Sequence, residues 1–257
     1  MSLTLFLIGL ISGVVTGLLS IGGGIILISF LIIIPPLILK ETFTMQTIAG
    51  FAMLLAFFST LSGSIYYWRA RLIERNVVLF LGVPSFFGAM LGSFLSEYTP
   101  EKILKIIFII LAVGAVIILQ ISQNPNHADQ RFRFQPYSAV LTVGAGIVIG
   151  GIGGLIGLAA GFIYVPFMTY FFKFPIKKAI GSSLNTCFLL ACGGLAIKFG
   201  VHSIALGLGF SLVLGGIIGA QLGGIIGKFL SPLILKEVAT LLISLICIKL
   251  IYDLFQL

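Results

Sequence analysis

Ser20, Gly22, Gly23 and Gly24 stand in the middle of one long apolar segment, and Ala159, Ala160 and Gly161 stand in the middle of another, with Gly161 following Gly24 by 137 residues. Runs of small residues with no acid or base among them point to chemistry done by backbone. N–H groups at a helix start carry partial positive charge and lack internal partners, so they can hold an oxyanion without a cationic side chain. An interruption inside hydrocarbon persists only where protein or a water-filled cavity satisfies the freed backbone, so two matched interruptions suggest a substrate path. Close helix packing is the competing use of glycine. The four-residue spacing of Gly13 and Gly17 suits packing, whereas three consecutive glycines exceed what one packed face needs.

The apolar segment after the second interruption opens with Ser182, Ser183, Asn185 and Thr186, hydroxyl and amide donors suited to a tetrahedral or pyramidal oxyanion. Gln221 is the amide deep in the next segment, and its counterpart Met90 is apolar. Gln46 and Thr47 hold the equivalent first-half position, near a span end. Interhelical hydrogen bonding, worth about 1 kcal/mol, is the plainer use of such side chains. It fits Ser182 and Thr186 better than Asn185 and Gln221.

What the chain lacks limits the mechanism. Glu41, Glu74, Glu97, Glu101, Asp129, Glu237 and Asp253 all fall at loops or span ends, which leaves no buried acid for a conventional proton relay or carboxylate sodium site. His127 lies in a polar stretch and His202 at a span end, so a membrane enzyme has no catalytic set to draw on. Cys187, Cys192 and Cys247 sit in apolar segments without a Cys-x-x-Cys pair, so neither a metal site nor a disulfide framework is expected. The reading calls for no cofactor.

The elements that must hold these residues are membrane helices. With 59% hydrophobic and 9% charged residues in 257 positions, the chain has too little polar surface for a soluble globule. Spans of the bilayer-crossing length, about 20 residues, are expected near 47–68, 76–96, 102–122, 178–198, 203–228 and 234–255, with the interrupted segments at 3–34 and 138–172. The net charge of +8 is scattered over short loops without aromatic interleaving, which argues for membrane topology and against nucleic acid. The N-terminal segment lacks a basic lead and an Ala-x-Ala site and has a counterpart later, so it reads as a working segment and not a signal peptide.

The chain also reads as a tandem repeat: 1–121, a linker at 122–137, and 138–257. Gly13, Gly17, Leu18 and Gly24 match Gly150, Gly154, Leu155 and Gly161 at offset 137, while Gly88, Ala89, Leu91 and Gly92 match Gly219, Ala220, Leu222 and Gly223 at offset 131. If each interrupted segment crosses once, the basic residues divide seven against eight, which is no bias. If each is a re-entrant hairpin, six spans remain, the halves are inverted, and the basic residues divide ten against five. The second arrangement fits the positive-inside rule, with both termini outside and the linker cytoplasmic. The expected fold is therefore an all-α polytopic membrane protein of two homologous, inverted halves, each with a glycine-interrupted re-entrant hairpin and three spans.

The Gly-x-x-x-Gly-Leu lead into Ser20-Ile21-Gly22-Gly23-Gly24, repeated more loosely at Gly154–Gly161 and followed by small and hydroxyl residues, resembles the sulfite exporter TauE/SafE family of membrane permeases. The likeness covers both halves. Ala159 and Ala160 depart from the glycine pattern, and Ala49-Gly50-Phe51 departs from the hydroxyl-bearing start that Gly181-Ser182-Ser183 keeps. The resemblance implies a cell-membrane transporter of small sulfur-containing or organic anions such as sulfite or sulfoacetate, commonly outward. An importer or facilitator of another oxyanion or carboxylate and a non-catalytic assembly subunit are the alternatives. Duplicated helix breaks favour transport over assembly. The residues leave direction, coupling ion and a homodimer open.

Overall fold

The computed structural model describes residues 2–20, 23–24, 26–28, 30–31, 45–100, 102–104, 106–107, 109–110, 113–114, 117, 136–201, 206–231, 234, 237, 241, 244 and 248. Among these, all regular structure is helical: α1 (Ser2–Leu19), α2 (Met45–Arg69), α3 (Arg75–Ser96), α4 (Pro136–Ile156), α5 (Gly161–Phe171), α6 (Ile176–Val201) and α7 (Leu206–Phe229). Five described helical stretches are long and apolar enough to cross a membrane: Thr47–Arg69, Arg75–Ser96, Ala139–Ile156, Ile176–Lys198 and Gly209–Phe229. Four of them coincide with expected spans. The other is the first arm of the second interrupted segment, while most of 102–122 and 234–255 falls outside the described residues. Val78–Gly82 forms a π turn within α3, next to Pro84.

Glycines set which helices touch. In lipid there is no hydrophobic drive between helices, so association relies on close packing, and small residues let backbones approach. A Cβ on Gly9, Gly13 or Gly17 of α1 would strike the carbonyls of Leu212, Gly216 and Ala220 of α7. One on Gly146, Gly150 or Gly154 of α4 would strike those of Leu81, Ser85 and Ala89 of α3. The residue numbers rise together in both sets, so α1 runs parallel to α7 and α4 parallel to α3. The second set is the first moved by 137 on one helix and 131 on the other. Each interrupted helix thus packs against a helix from the opposite half of the chain.

Two further contacts fix the frame. The Gln221 Nε2 donates to the Ser62 carbonyl at 2.7 Å and the Ser62 hydroxyl donates to the Ile217 carbonyl at 2.9 Å, which ties α7 to α2. Tyr67, whose hydroxyl donates to the Gly17 carbonyl at 3.1 Å, ties the end of α2 to the end of α1. At the start of α6, the Lys178 Nζ lies 2.8 Å from a Glu74 carboxylate oxygen and 4.9 Å from the Phe174 ring centre.

Candidate functional site

The two breaks have the same backbone form. Ser20 and Gly23 take positive φ of 54° and 33°, and their counterparts at offset 137, Gly157 and Ala160, take 80° and 49°. Glycine adopts this left-handed region freely, while Ser20 and Ala160 do so against a steric cost. Each break therefore carries its glycine where the other carries a side chain. The α4 end is closed by two paired bonds, Leu158 N–H to the Gly153 carbonyl at 2.8 Å and Gly157 N–H to the Gly154 carbonyl at 3.2 Å. That is a Schellman stop with glycine at the left-handed position. It ends the helix within an apolar sequence that has no proline there.

The breaks also meet. The Ser20 carbonyl fills the space that a Cβ on Gly161 would need, and Cys187 Sγ lies 3.1 Å from that same position. Leu158 Cδ2 stands 2.8 Å from where a Cβ on Gly24 would lie. Ser20, Ala159, Ala160 and Gly161 are all buried. Gly23 and Gly24 stand beside them, and Gly22 lies outside the described residues. Ala160 caps α5 without any side-chain bond, Ile163 N–H is bonded to the Ala160 carbonyl at 2.9 Å, and the helix starts at Gly161, where the carbonyl of the other break stands.

One feature of this crossing was not legible as a site from the sequence. Ser12 and Thr16 on α1 and Ser20 just past its end recur every four residues, and all three are fully buried. A Cβ on Gly23 would strike the Thr16 hydroxyl and come within 2.7 Å of the Ser12 carbonyl, so this row looks across at the segment after the break. Thr16 Oγ1 donates to the Ser12 carbonyl at 2.8 Å. Among the described residues the Ser12 hydroxyl has no hydrogen-bond partner, and the Ser20 hydroxyl has none besides the Cys187 thiol beside it. Buried hydroxyls are ordinarily bonded to oxygen or nitrogen, so two hydroxyls in one row without such a partner among the described residues mark a place for a polar guest. The four-residue spacing was the signal available in the sequence.

The remaining expected residues divide. Ser183, one turn before Cys187 on α6, donates to the Ile180 carbonyl at 2.9 Å, and Thr186 donates to the Ser182 carbonyl at 3.1 Å. Asn185, half-buried, donates to the Gly181 carbonyl at 3.1 Å. Ser182 accepts the Glu74 N–H at 2.9 Å, so it anchors the loop before α3. Gln221 spends its amide N–H on Ser62 at the α2–α7 contact. The α6 residues thus lead toward the crossing by way of Ser183 and Cys187, and Gln221 belongs to a neighbouring helix seam. Among the described residues no cluster of His, Cys, Asp or Glu could hold a metal ion.

A frame of apolar helices around two facing helix breaks, with five helices long enough to cross a membrane among the described residues, is that of a multi-pass membrane protein. The chain belongs to the sulfite exporter TauE/SafE family, whose family model matches residues 5–250. Among curated proteins it is similar to the probable membrane transporter protein YunE of Bacillus subtilis, 27% identical over 74% of this chain and 75% of the relative. It is likewise similar to the probable membrane transporter protein YjnA of the same organism, 26% identical over 85% and 87% of the two chains. The probable membrane transporter protein MJ0441 of Methanocaldococcus jannaschii is 22% identical over 74% and 70%. No solved structure gives a significant match.

Proposed function

We propose that the protein carries small sulfur-containing or organic oxyanions across the cell membrane through the crossing of its two helix breaks, with export of sulfite or a sulfonate such as sulfoacetate as the leading case. The observation that carries this reading is the convergence of Ser20, whose buried hydroxyl has no partner among the described residues besides the Cys187 thiol, on Gly161 at the start of α5, which no side chain caps. A helix N-terminus attracts an anion, a hydroxyl supplies a donor of adjustable direction, and glycine allows backbone approach. No catalysis is proposed. The sulfite exporter description of the family supports the substrate class.

Two inverted halves with re-entrant hairpins belong to the same proposal. Support comes from the packing registers. Gly181 at the start of α6 meets Tyr67 at the end of α2, so these helices run opposite ways, while α3 runs with α6 and α7 runs with α2. Because α1 follows α7 and α4 follows α3, the two interrupted helices point in opposing directions, as an inverted repeat requires.

Flux into or out of proteoliposomes, measured with sulfite, sulfate, thiosulfate, sulfoacetate and simple carboxylates, with and without an imposed pH gradient, tests the reading. Sulfite or sulfoacetate should move well above empty vesicles. Movement of none of them, together with capture of a defined protein partner, would transfer support to an assembly role.

A further inference from the structure

Beyond the break crossing, one charged pair among the described residues lies inside the helix frame. Lys198, on the last turns of α6, is 2% exposed, and its Nζ lies 3.1 Å from a Glu97 carboxylate oxygen and donates to the Ser96 hydroxyl at 3.1 Å. Glu97 caps the end of α3 and its side chain is 12% exposed. The sequence placed this acid at a span end. The fold turns it inward onto the lysine. The comparable pair at the opposite end, Lys178 with Glu74, stays about 30% exposed on both partners.

Stability alone does not account for a pair in this position. Removing two charges from water costs as much as their attraction returns, and apolar replacements of buried pairs are often neutral. An ionisable side chain inside a membrane helix is instead a pointer to an ion path. The surroundings supply the direction of that path. On α6, Cys187, Ala191, Gly194 and Lys198 share one buried face, and Cys187 touches the crossing at Gly161. Eleven residues at 1.5 Å each put Lys198 roughly 16 Å from Cys187 along that face. On α3, Ser93 donates to the Gly154 carbonyl at 3.2 Å beside the second break, and Ser96 and Glu97 follow one turn later. Both helices therefore run from the crossing to the ion pair.

The pair is also absent from the duplication. Subtracting 132 from Lys198 gives Tyr66, and adding 131 to Glu97 gives Lys228. At the Lys228 end, Lys177 bonds the Lys228 carbonyl and Lys178 stands nearby, so cations collect there without need of a buried one. At the other end, Lys198 is the buried cation among the described residues.

We propose that Lys198 is a second binding station for the transported oxyanion, held by Glu97 when empty and released to the anion as it passes between the break crossing and the membrane end at Glu97. This rests on the transport reading. The anion takes the place of the Glu97 carboxylate on Lys198 Nζ, Ser96 keeps its contact with the ammonium, and Glu97 swings toward the helix end. No bond is made or broken. A free small oxyanion is the occupant, so vesicles of zwitterionic lipid alone remove anionic headgroups as competitors.

Initial sulfite flux is measured in such proteoliposomes for wild type, Glu97→Gln, Lys198→Arg, Lys198→Met and the double variant Glu97→Gln/Lys198→Met, with thermal stability followed in detergent. Glu97→Gln frees the lysine and should lower KM for sulfite at least threefold while slowing the maximal rate. Lys198→Arg should keep most of the flux. The double variant removes both charges, should keep its fold, and should lose flux at least tenfold even if Lys198→Met alone fails to fold. Wild-type KM and rate in the folded double variant would make the pair a structural tie and overturn the proposal. Failure of the double variant to fold, with KM unchanged in Glu97→Gln, would overturn it equally. If the wild type moves no sulfite or other oxyanion, the transport reading falls and this station with it.

Discussion

The backbone carbonyl of Ser20 occupies the space that a Cβ on Gly161 would require. That single contact joins the break of the first half to the break of the second, and it leaves no room for adjustment, because the obstructing atom is backbone and not a flexible side chain. Gly161→Ala should therefore abolish transport and sharply reduce the yield of folded protein. The proper control is Gly144→Ala, since nothing lies within 4 Å of a Cβ there, and the change should be neutral or stabilise α4 by about 0.5–1 kcal/mol. Gly9 and Gly146 would make poor controls, since a Cβ on either would strike a carbonyl of a neighbouring helix. Gel-filtration profiles and flux of the two alanine variants check this, and equal behaviour at positions 144 and 161 would remove the special status of the crossing.

Much of this architecture is legible in the sequence because glycine does two jobs whose spacings differ. Gly13 and Gly17 read as packing residues, and they pack, against Gly216 and Ala220. The helix stops at Ser20 and Gly157 read as breaks, since small residues cluster there beyond what one face needs, and both positions take left-handed backbone. Side-chain partners were harder to see. Gln221 looks like a substrate ligand by its isolation in an apolar segment, yet its amide reaches Ser62 on α2, a contact set by the relative height of two helices 159 residues apart. The Lys198–Glu97 pair was hidden for the same reason: each residue alone sits where a surface charge would, and the shared burial depends on how α3 and α6 end beside each other.

The two amides should separate in kinetics. Gln221 bridges helices, so Gln221→Leu should lower thermal stability by an amount on the order of 1 kcal/mol and leave KM for sulfite within about twofold. Among the described residues Asn185 bonds only the carbonyl one turn before it, which leaves its second amide N–H to donate to an anion. Loss of one hydrogen bond to a dehydrated anion costs about 1–3 kcal/mol, so Asn185→Leu should raise KM roughly tenfold. Paired flux and melting measurements on both variants decide, and a KM defect confined to the Gln221 variant would exchange the two roles.

Topology offers a test independent of substrate. With inverted halves, Ser2 and Asn126 face opposite sides of the membrane, Ser2 outside and Asn126 in the cytoplasm. Single cysteines at these positions, in a background lacking Cys187, Cys192 and Cys247, can be labelled in intact cells with an impermeant maleimide. Ser2→Cys should react before permeabilisation and Asn126→Cys only after it. Labelling of both from the same side would leave parallel halves as the arrangement.

Ser20 should show stability and transport pulling apart. Its backbone sits at φ 54°, where a side chain is strained, and its buried hydroxyl has no partner among the described residues besides the weakly bonding Cys187 thiol. Ser20→Gly relieves both at once: left-handed strain costs about 1–3 kcal/mol in non-glycine residues, and an unsatisfied buried hydroxyl costs a similar amount. The second break already holds glycine at the matching position, Gly157, so the backbone tolerates the exchange. The variant should melt higher than wild type. If the hydroxyl is reserved for the anion, the same variant should raise KM for sulfite about tenfold. Ser20→Ala separates the two effects, since alanine removes the hydroxyl and keeps the strain; it should match glycine in KM and gain less in stability. Unchanged KM in both variants, with the expected rise in melting temperature, would show the orphan hydroxyl to be a packing defect and move the anion away from Ser20.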